Sequence, residues 1–126
     1  MTATDTPAAA FVSVVDDDES VRESLPDLLG ELGFAAEAFT SAEEFLASGR
    51  LAKTQCLILD VNMPGMSGPE LKEELRRLGH GVPIIFITAH ADTASQPEVT
   101  EDAVACLVKP FSDTALQNAL KKALNI

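Results

Sequence analysis

The sequence predicts an α/β fold, one parallel sheet of five strands with about five helices packed on its two faces. Three observations carry that expectation. Apolar strand-like runs alternate with stretches of helical periodicity at steps of roughly 25 residues, as repeated strand–helix units do. Two of the runs, "QCLILDV" and "VPIIFITA", are apolar throughout, as strands covered on both faces are. Polar residues also collect where the runs end, and sheets of this kind bind ligands beyond the carboxyl ends of their strands.

The elements follow in order. "AFVSVV" (10–15) is a short apolar run stopped by acids and predicts a buried strand. "DESVRESLPDLLGELG" sets Val21, Leu25, Leu28, Leu29 and Leu32 at helical spacing, with Gly33 as the stop. Pro26 and Gly30 both weaken that helix and leave its continuity open. "AAEAF" (35–39) reads as a weak strand, and Ser41 with Glu44 forms the Ser-x-x-Glu pattern that opens a helix. "QCLILDV" (55–61) is the strongest strand. "NMPGMSG" (62–68) is a loop rich in turn residues, its methionines assigned to packing, and the amphipathic helix "PELKEELRRLG" follows. After the strand "VPIIFITA" (82–89), "DTASQPEVTEDAVA" is the least legible stretch: a short helix from Pro97 or an irregular loop. "CLVKPF" predicts the last strand. "SDTALQNALKKAL" predicts the last helix, capped by Ser112 or Asp113.

The chain has 126 residues, enough for one domain with a substantial core. Residues 1–9 are expected to be a disordered N-terminal tail and residues 10–126 the domain. No apolar run approaches the ~18 residues of a membrane span, and the start lacks the features of a secretory signal. Cys56 and Cys106 stand in apolar segments without metal-site spacing, so both are expected to be buried thiols in a reducing, cytoplasmic setting. Nine basic against twenty acidic residues give a net charge of −11, which disfavours direct contact with nucleic acid or an anionic membrane. A basic, protein or small-cation partner is easier to accommodate.

Chemistry is expected at the strand ends. Asp16 and Asp17 follow the first strand, Asp60 closes the third, Thr88 the fourth and Lys109 the fifth. Three carboxylates at one sheet edge repel unless a cation compensates them, and oxygen ligands with hydration water suit Mg²⁺. A carboxylate beside a metal and a lysine can accept a phosphoryl group, because both neutralise its equatorial oxygens. Taken singly, Thr88, Lys109 and Asn62 each have an ordinary structural explanation; it is their combination with the acids that points to a site.

"VVDDDES", "LILDVNMPGMSG", "FITAH" and "LVKPF", in this order, closely resemble the receiver domain of two-component response regulators, the CheY-like family, over residues 10 to 124. The resemblance implies sheet order 2-1-3-4-5. It implies Asp60 as phosphoacceptor, Mg²⁺ held by Asp17, by Asp16 mostly through water, and by the Asn62 carbonyl. Thr88 would be the switch hydroxyl, Lys109 the phosphate-pairing lysine, and the Lys109–Pro110 peptide cis. The phosphoryl donor would be a sensor histidine kinase or histidine phosphotransfer protein, and the output a downstream protein target. Such a domain is a phosphoacceptor with only self-phosphorylation and slow autodephosphorylation, not a conventional enzyme. Asp18 and Glu19 are assigned to capping the first helix. The chain is expected to be a stand-alone receiver without a DNA-binding output domain.

Three features depart from the family pattern. Cys106 occupies the place of the aromatic partner of the threonine switch. The preceding "ASQPEVTEDAVAC" lacks the usual Ala-Gly turn. His90 sits two residues after Thr88, where the family tunes phosphoryl loss, and is equally compatible with steering water or facing solvent. A receiver-like interaction module with an altered switch is therefore the alternative. An aspartyl-phosphate hydrolase similar to the haloacid dehalogenase superfamily is disfavoured, because Asn62 stands where its acid/base aspartate would be and an amide cannot shuttle the proton. A flavodoxin-like FMN binder is disfavoured because four acids after the first strand repel a phosphate.

Overall fold

The computed structural model describes residues 9–126. The tail expected at residues 1–9 lies, apart from Ala9, outside the described residues. Five strands and five helices follow one another: β1 (Phe11–Val15), α1 (Glu19–Glu31), β2 (Ala35–Phe39), α2 (Ala42–Ala47), β3 (Cys56–Asp60), α3 (Gly68–Arg77), β4 (Ile84–Thr88), α4 (Pro97–Thr100), β5 (Ala105–Val108) and α5 (Asp113–Leu124). The strands pair in parallel in the order β2-β1-β3-β4-β5, the order that the family resemblance implies.

Side chains alternate across each strand, so the apolar runs feed two cores. Leu57, Leu59 and Phe86 face a cluster with Phe39, Phe45, Leu71, Leu75 and Val99, under α2, α3 and α4. Ile58, Ile85 and Ile87 face the other cluster with Leu25, Leu29, Leu116 and Leu120, under α1 and α5. Burying each of these side chains stabilises the fold by about 1.5–3 kcal/mol. β3 and β4 are buried at every position, as their unbroken apolar sequences predict. β5, at the sheet edge, is only half-buried along its length.

α1 runs unbroken through Pro26 and Gly30. Proline deprives the Arg22 carbonyl of its helical donor, but Leu25 and Leu29 on the same face are buried and hold the turn against the sheet. Gly33 ends it with φ 98°, a conformation that favours glycine. At α2 the Ser41 side chain caps the Glu44 amide at 3.0 Å, while the Glu44 carboxylate reaches past Ser41 to the Thr40 amide at 2.6 Å. The complete reciprocal capping box forms at α3, between Ser67 and Glu70. Ser112 is the cap of α5.

The poorly legible stretch contains a 3₁₀ turn at Thr93–Ser95 and the four-residue α4, with Pro97 in its first turn. Val99 is its fully buried anchor. Among the described residues no helix is long and apolar enough to cross a membrane.

Candidate functional site

The register of the sheet assembles the site. Val15 pairs with Leu59, so Asp16 emerges beside Asp60; Asp60 pairs with Ile87, and Thr88 with Val108, so Thr88 and Lys109 continue the same edge. One carboxylate oxygen from each of Asp16, Asp17 and Asp60 falls within 4.8 Å of the others. Asp16 is fully buried and Asp60 6% exposed, whereas Asp17 is open to solvent.

Asp16 is the structural centre of the cluster. Its Oδ1 accepts the Asp18 amide at 2.9 Å, its Oδ2 accepts Lys109 Nζ at 2.9 Å, and its carbonyl accepts the Arg22 guanidinium at 3.1 Å. Arg22 was not singled out from the sequence; its place one helical turn after the acids is the signal that would have found it. Asp18 caps α1, its carboxylate accepting the Ser20 amide at 3.0 Å and the Ser20 hydroxyl at 2.8 Å. Those bonds hold its pKa below the usual carboxylate value. Asp18 thus caps α1 and Glu19 lies in its first turn, while Asp16 and Asp17 belong to the carboxylate cluster with Asp60.

Of the two buried carboxylates, Asp60 is the less compensated. Its Oδ1 accepts only the Asn62 amide, at a long 3.3 Å. Burial first, and then the negative charge of Asp16, push its pKa up to about 7 against the opposing pull of Lys109. Burial lowers the Lys109 pKa, but its bond to Asp16 and the surrounding aspartates outweigh this and raise it overall. A buried carboxyl beside like charges is relieved when a cation joins them. The all-oxygen donor set fits a hard divalent ion.

Thr88 is fully buried, and its Oγ1 accepts the His90 amide at 3.1 Å. His90 itself is exposed. Asn62 is exposed and touches Asp60 through its amide. The Lys109–Pro110 peptide is cis. Met63 is buried in the core, and the loop after β3 is tied to α2 where Glu43 Oε2 accepts the Met66 amide at 3.1 Å. Cys106 corrects an expectation: it is half-buried, because β5 is an edge strand under a short α4, whereas Cys56 is fully buried. Both thiols are free.

Gly68 was also missed. It begins α3 directly against β3, where a Cβ would lie 2.4 Å from the Asp60 carbonyl oxygen and 3.0 Å from Phe86. Glycine is required by that close approach, and its absence of a side chain seats α3 on the backbone of the central aspartate.

Comparison with known proteins agrees with this geometry. Residues 12–121 match the response regulator receiver domain family. The chain is 38% identical over 119 residues to the response regulator protein TodT of Pseudomonas putida, covering 94% of this chain and 52% of TodT. It is 40% identical over 119 residues to the transcriptional regulatory protein FixJ of Azorhizobium caulinodans, covering 94% of this chain and 56% of FixJ. It thus spans about half the length of these two curated relatives. A solved structure of the chemotaxis protein CheY4 of Vibrio cholerae superposes with a TM-score of 0.80 at 31% identity, over 93% of this chain and 100% of that one. The chain belongs to the response regulator receiver domain family.

Proposed function

We propose that this domain accepts a phosphoryl group on Asp60 from a phosphohistidine of a sensor kinase or phosphotransfer protein, with Mg²⁺ required, and that this changes its affinity for a downstream protein. The observation that carries the reading is the convergence of Asp16, Asp17 and Asp60 within 4.8 Å, with Lys109 at the same edge. Asp17, Asp16 and Asp60, with backbone oxygen from Asn62, are the groups that would hold the ion. When bound, Mg²⁺ supplies positive charge to the cluster and to the phosphoryl oxygens.

The protein's own part is mainly positioning. An Asp60 carboxylate oxygen attacks phosphorus, the P–N bond breaks, and its electron pair leaves on the donor imidazole, which takes a proton. Lys109 then shares its charge between Asp16 and the phosphoryl oxygens. The Thr88 hydroxyl donates to one of those oxygens. Asn62, two residues after Asp60, offers no proton shuttle, which favours a lasting acyl phosphate over rapid turnover. TodT and FixJ are named as regulators, and we assign this domain a signal-receiving role. Its net charge of −11 favours a partner surface with basic residues.

The test is incubation with acetyl phosphate, with and without Mg²⁺, followed by intact mass. The reading expects a gain of one phosphoryl group in wild type only with Mg²⁺ and none in Asp60→Asn. Equal labelling of Asp17→Asn would remove the metal role. Rapid multiple turnover of small phosphomonoesters would favour a hydrolase instead.

A further inference from the structure

Lys72 is the charged group that the phosphoacceptor reading leaves unused. It lies on α3, is only 9% exposed, and makes no ion pair among the described residues. Its Nζ donates instead to the backbone carbonyls of Glu98, at 3.1 Å, and Glu101, at 2.6 Å, and stands 5.9 Å over the Phe86 ring. Those carbonyls belong to the end of α4, where a cation complements the helix dipole. One turn further along α3, Arg76 pairs with Asp102, whose φ of 60° lies in the left-handed region.

α4 needs such support. It has four residues and no side-chain hydrogen bond at its N-cap, and a single turn is unstable by itself. Val99 and the Lys72 bonds hold it from α3. α3 in turn is seated on the phosphoacceptor strand: the Gly68 amide donates to the Val61 carbonyl at 3.0 Å, and Gly68 leaves no room between itself and the Asp60 carbonyl. Phe86 lies beside both ends of this link, its ring carbon 3.0 Å from where a Gly68 Cβ would stand and its ring centroid 5.9 Å from Lys72 Nζ. Asp60, Gly68, α3, Lys72 and α4 thus form one continuous chain of contacts, and its last link, the two Lys72 bonds, weakens steeply with geometry.

We propose that Lys72 couples Asp60 to residues 97–104 through α3, in place of a relay through position 106, where this chain has Cys106. The coupling rests on Asp60 being the phosphoacceptor. In the unphosphorylated state Lys72 holds α4 against α3. Phosphorylation loosens that hold and frees the segment that runs from His90, at the Thr88 end, to β5.

Hydrogen exchange of the 98–104 amides, with intact mass on the same samples, tests this in wild type, Lys72→Met and Asp60→Asn, with and without acetyl phosphate and Mg²⁺. In wild type, exchange in 98–104 should quicken by about fivefold or more when the mass gains a phosphoryl group. Lys72→Met keeps the buried volume; it should exchange that much faster without acetyl phosphate, still take up one phosphoryl group, and respond less than about twofold. Arg76→Ala, at the exposed end of the same contact, should give an intermediate rate and guards against misfolding of the buried variant. The coupling is overturned if Lys72→Met exchanges at the wild-type rate, or if phosphorylated wild type shows no change in 98–104. A wild type without mass gain overturns the phosphoacceptor reading and the coupling with it.

Discussion

Lys109 Nζ donates a 2.9 Å hydrogen bond to Asp16 Oδ2, joining the ends of β5 and β1 across 93 residues of chain. Asp16 is fully buried, while the lysine side chain is 21% exposed. Removing one partner of such a pair strands a buried charge, which typically costs about 3–5 kcal/mol. With Lys109 partly solvated, Lys109→Met should lower metal-free stability by about 2–4 kcal/mol, read as a fall in urea midpoint at unchanged slope. Millimolar Mg²⁺ should restore more stability to this variant than to wild type.

The raised Asp60 pKa makes metal binding depend on pH. The folded value is about 7 against 3.8 for the free group, so between these values the native state binds a proton that the unfolded state has lost. In the absence of metal, stability contributed by this group is therefore full below pH 3.8 and falls as pH rises toward about 7. A cation on the same oxygens displaces that proton. The Mg²⁺ dissociation constant should accordingly drop by about fivefold from pH 6 to pH 7 and level off above. Calorimetry in buffers of different ionisation enthalpy checks the proton release; a dissociation constant flat across this range contradicts it.

Gly68→Ala should destabilise although alanine favours helices. The propensity gain is at most about 1 kcal/mol, whereas the new Cβ would lie 2.4 Å from a backbone oxygen that cannot rotate away. A net loss of about 2 kcal/mol or more is expected in thermal or urea unfolding, together with reduced phosphoryl uptake at Asp60. Unchanged stability would show that α3 is not seated on β3 as described.

The two cysteines should separate in a thiol-labelling experiment. Burial pushes the Cys56 thiol up to about 12 and that of Cys106 up as well, but only Cys106 is half-exposed. A maleimide should slowly modify Cys106 in the native protein and reach Cys56 only in denaturant. Modification of Cys56 at the native rate of Cys106 would contradict the buried position of β3.

How much of this was legible in the sequence depended on whether the cause was local. β3 and β4 could be read because burial on both faces leaves an uninterrupted apolar run, and α3 because its face repeats at helical spacing. The carboxylates could be grouped because strand ends of a parallel sheet share an edge. Pro26 misleads, since its local cost is outweighed by the distant packing of Leu25 and Leu29. Gly68 and Lys72 were invisible for the same reason: their partners, Asp60 and the 98–101 carbonyls, are brought near by the fold alone. Cys106 looked buried because its neighbours are apolar, while its exposure follows from β5 lying at the sheet edge.

The most direct measurement is the chemical identity of the modified residue. After treatment with acetyl phosphate and Mg²⁺, borohydride reduction of the acyl phosphate and peptide mass mapping locate the carboxyl that carried phosphorus. The account predicts reduction at residue 60 alone, abolished by chelation of the metal. Modification at another acid, or none in a folded protein supplied with Mg²⁺, contradicts it.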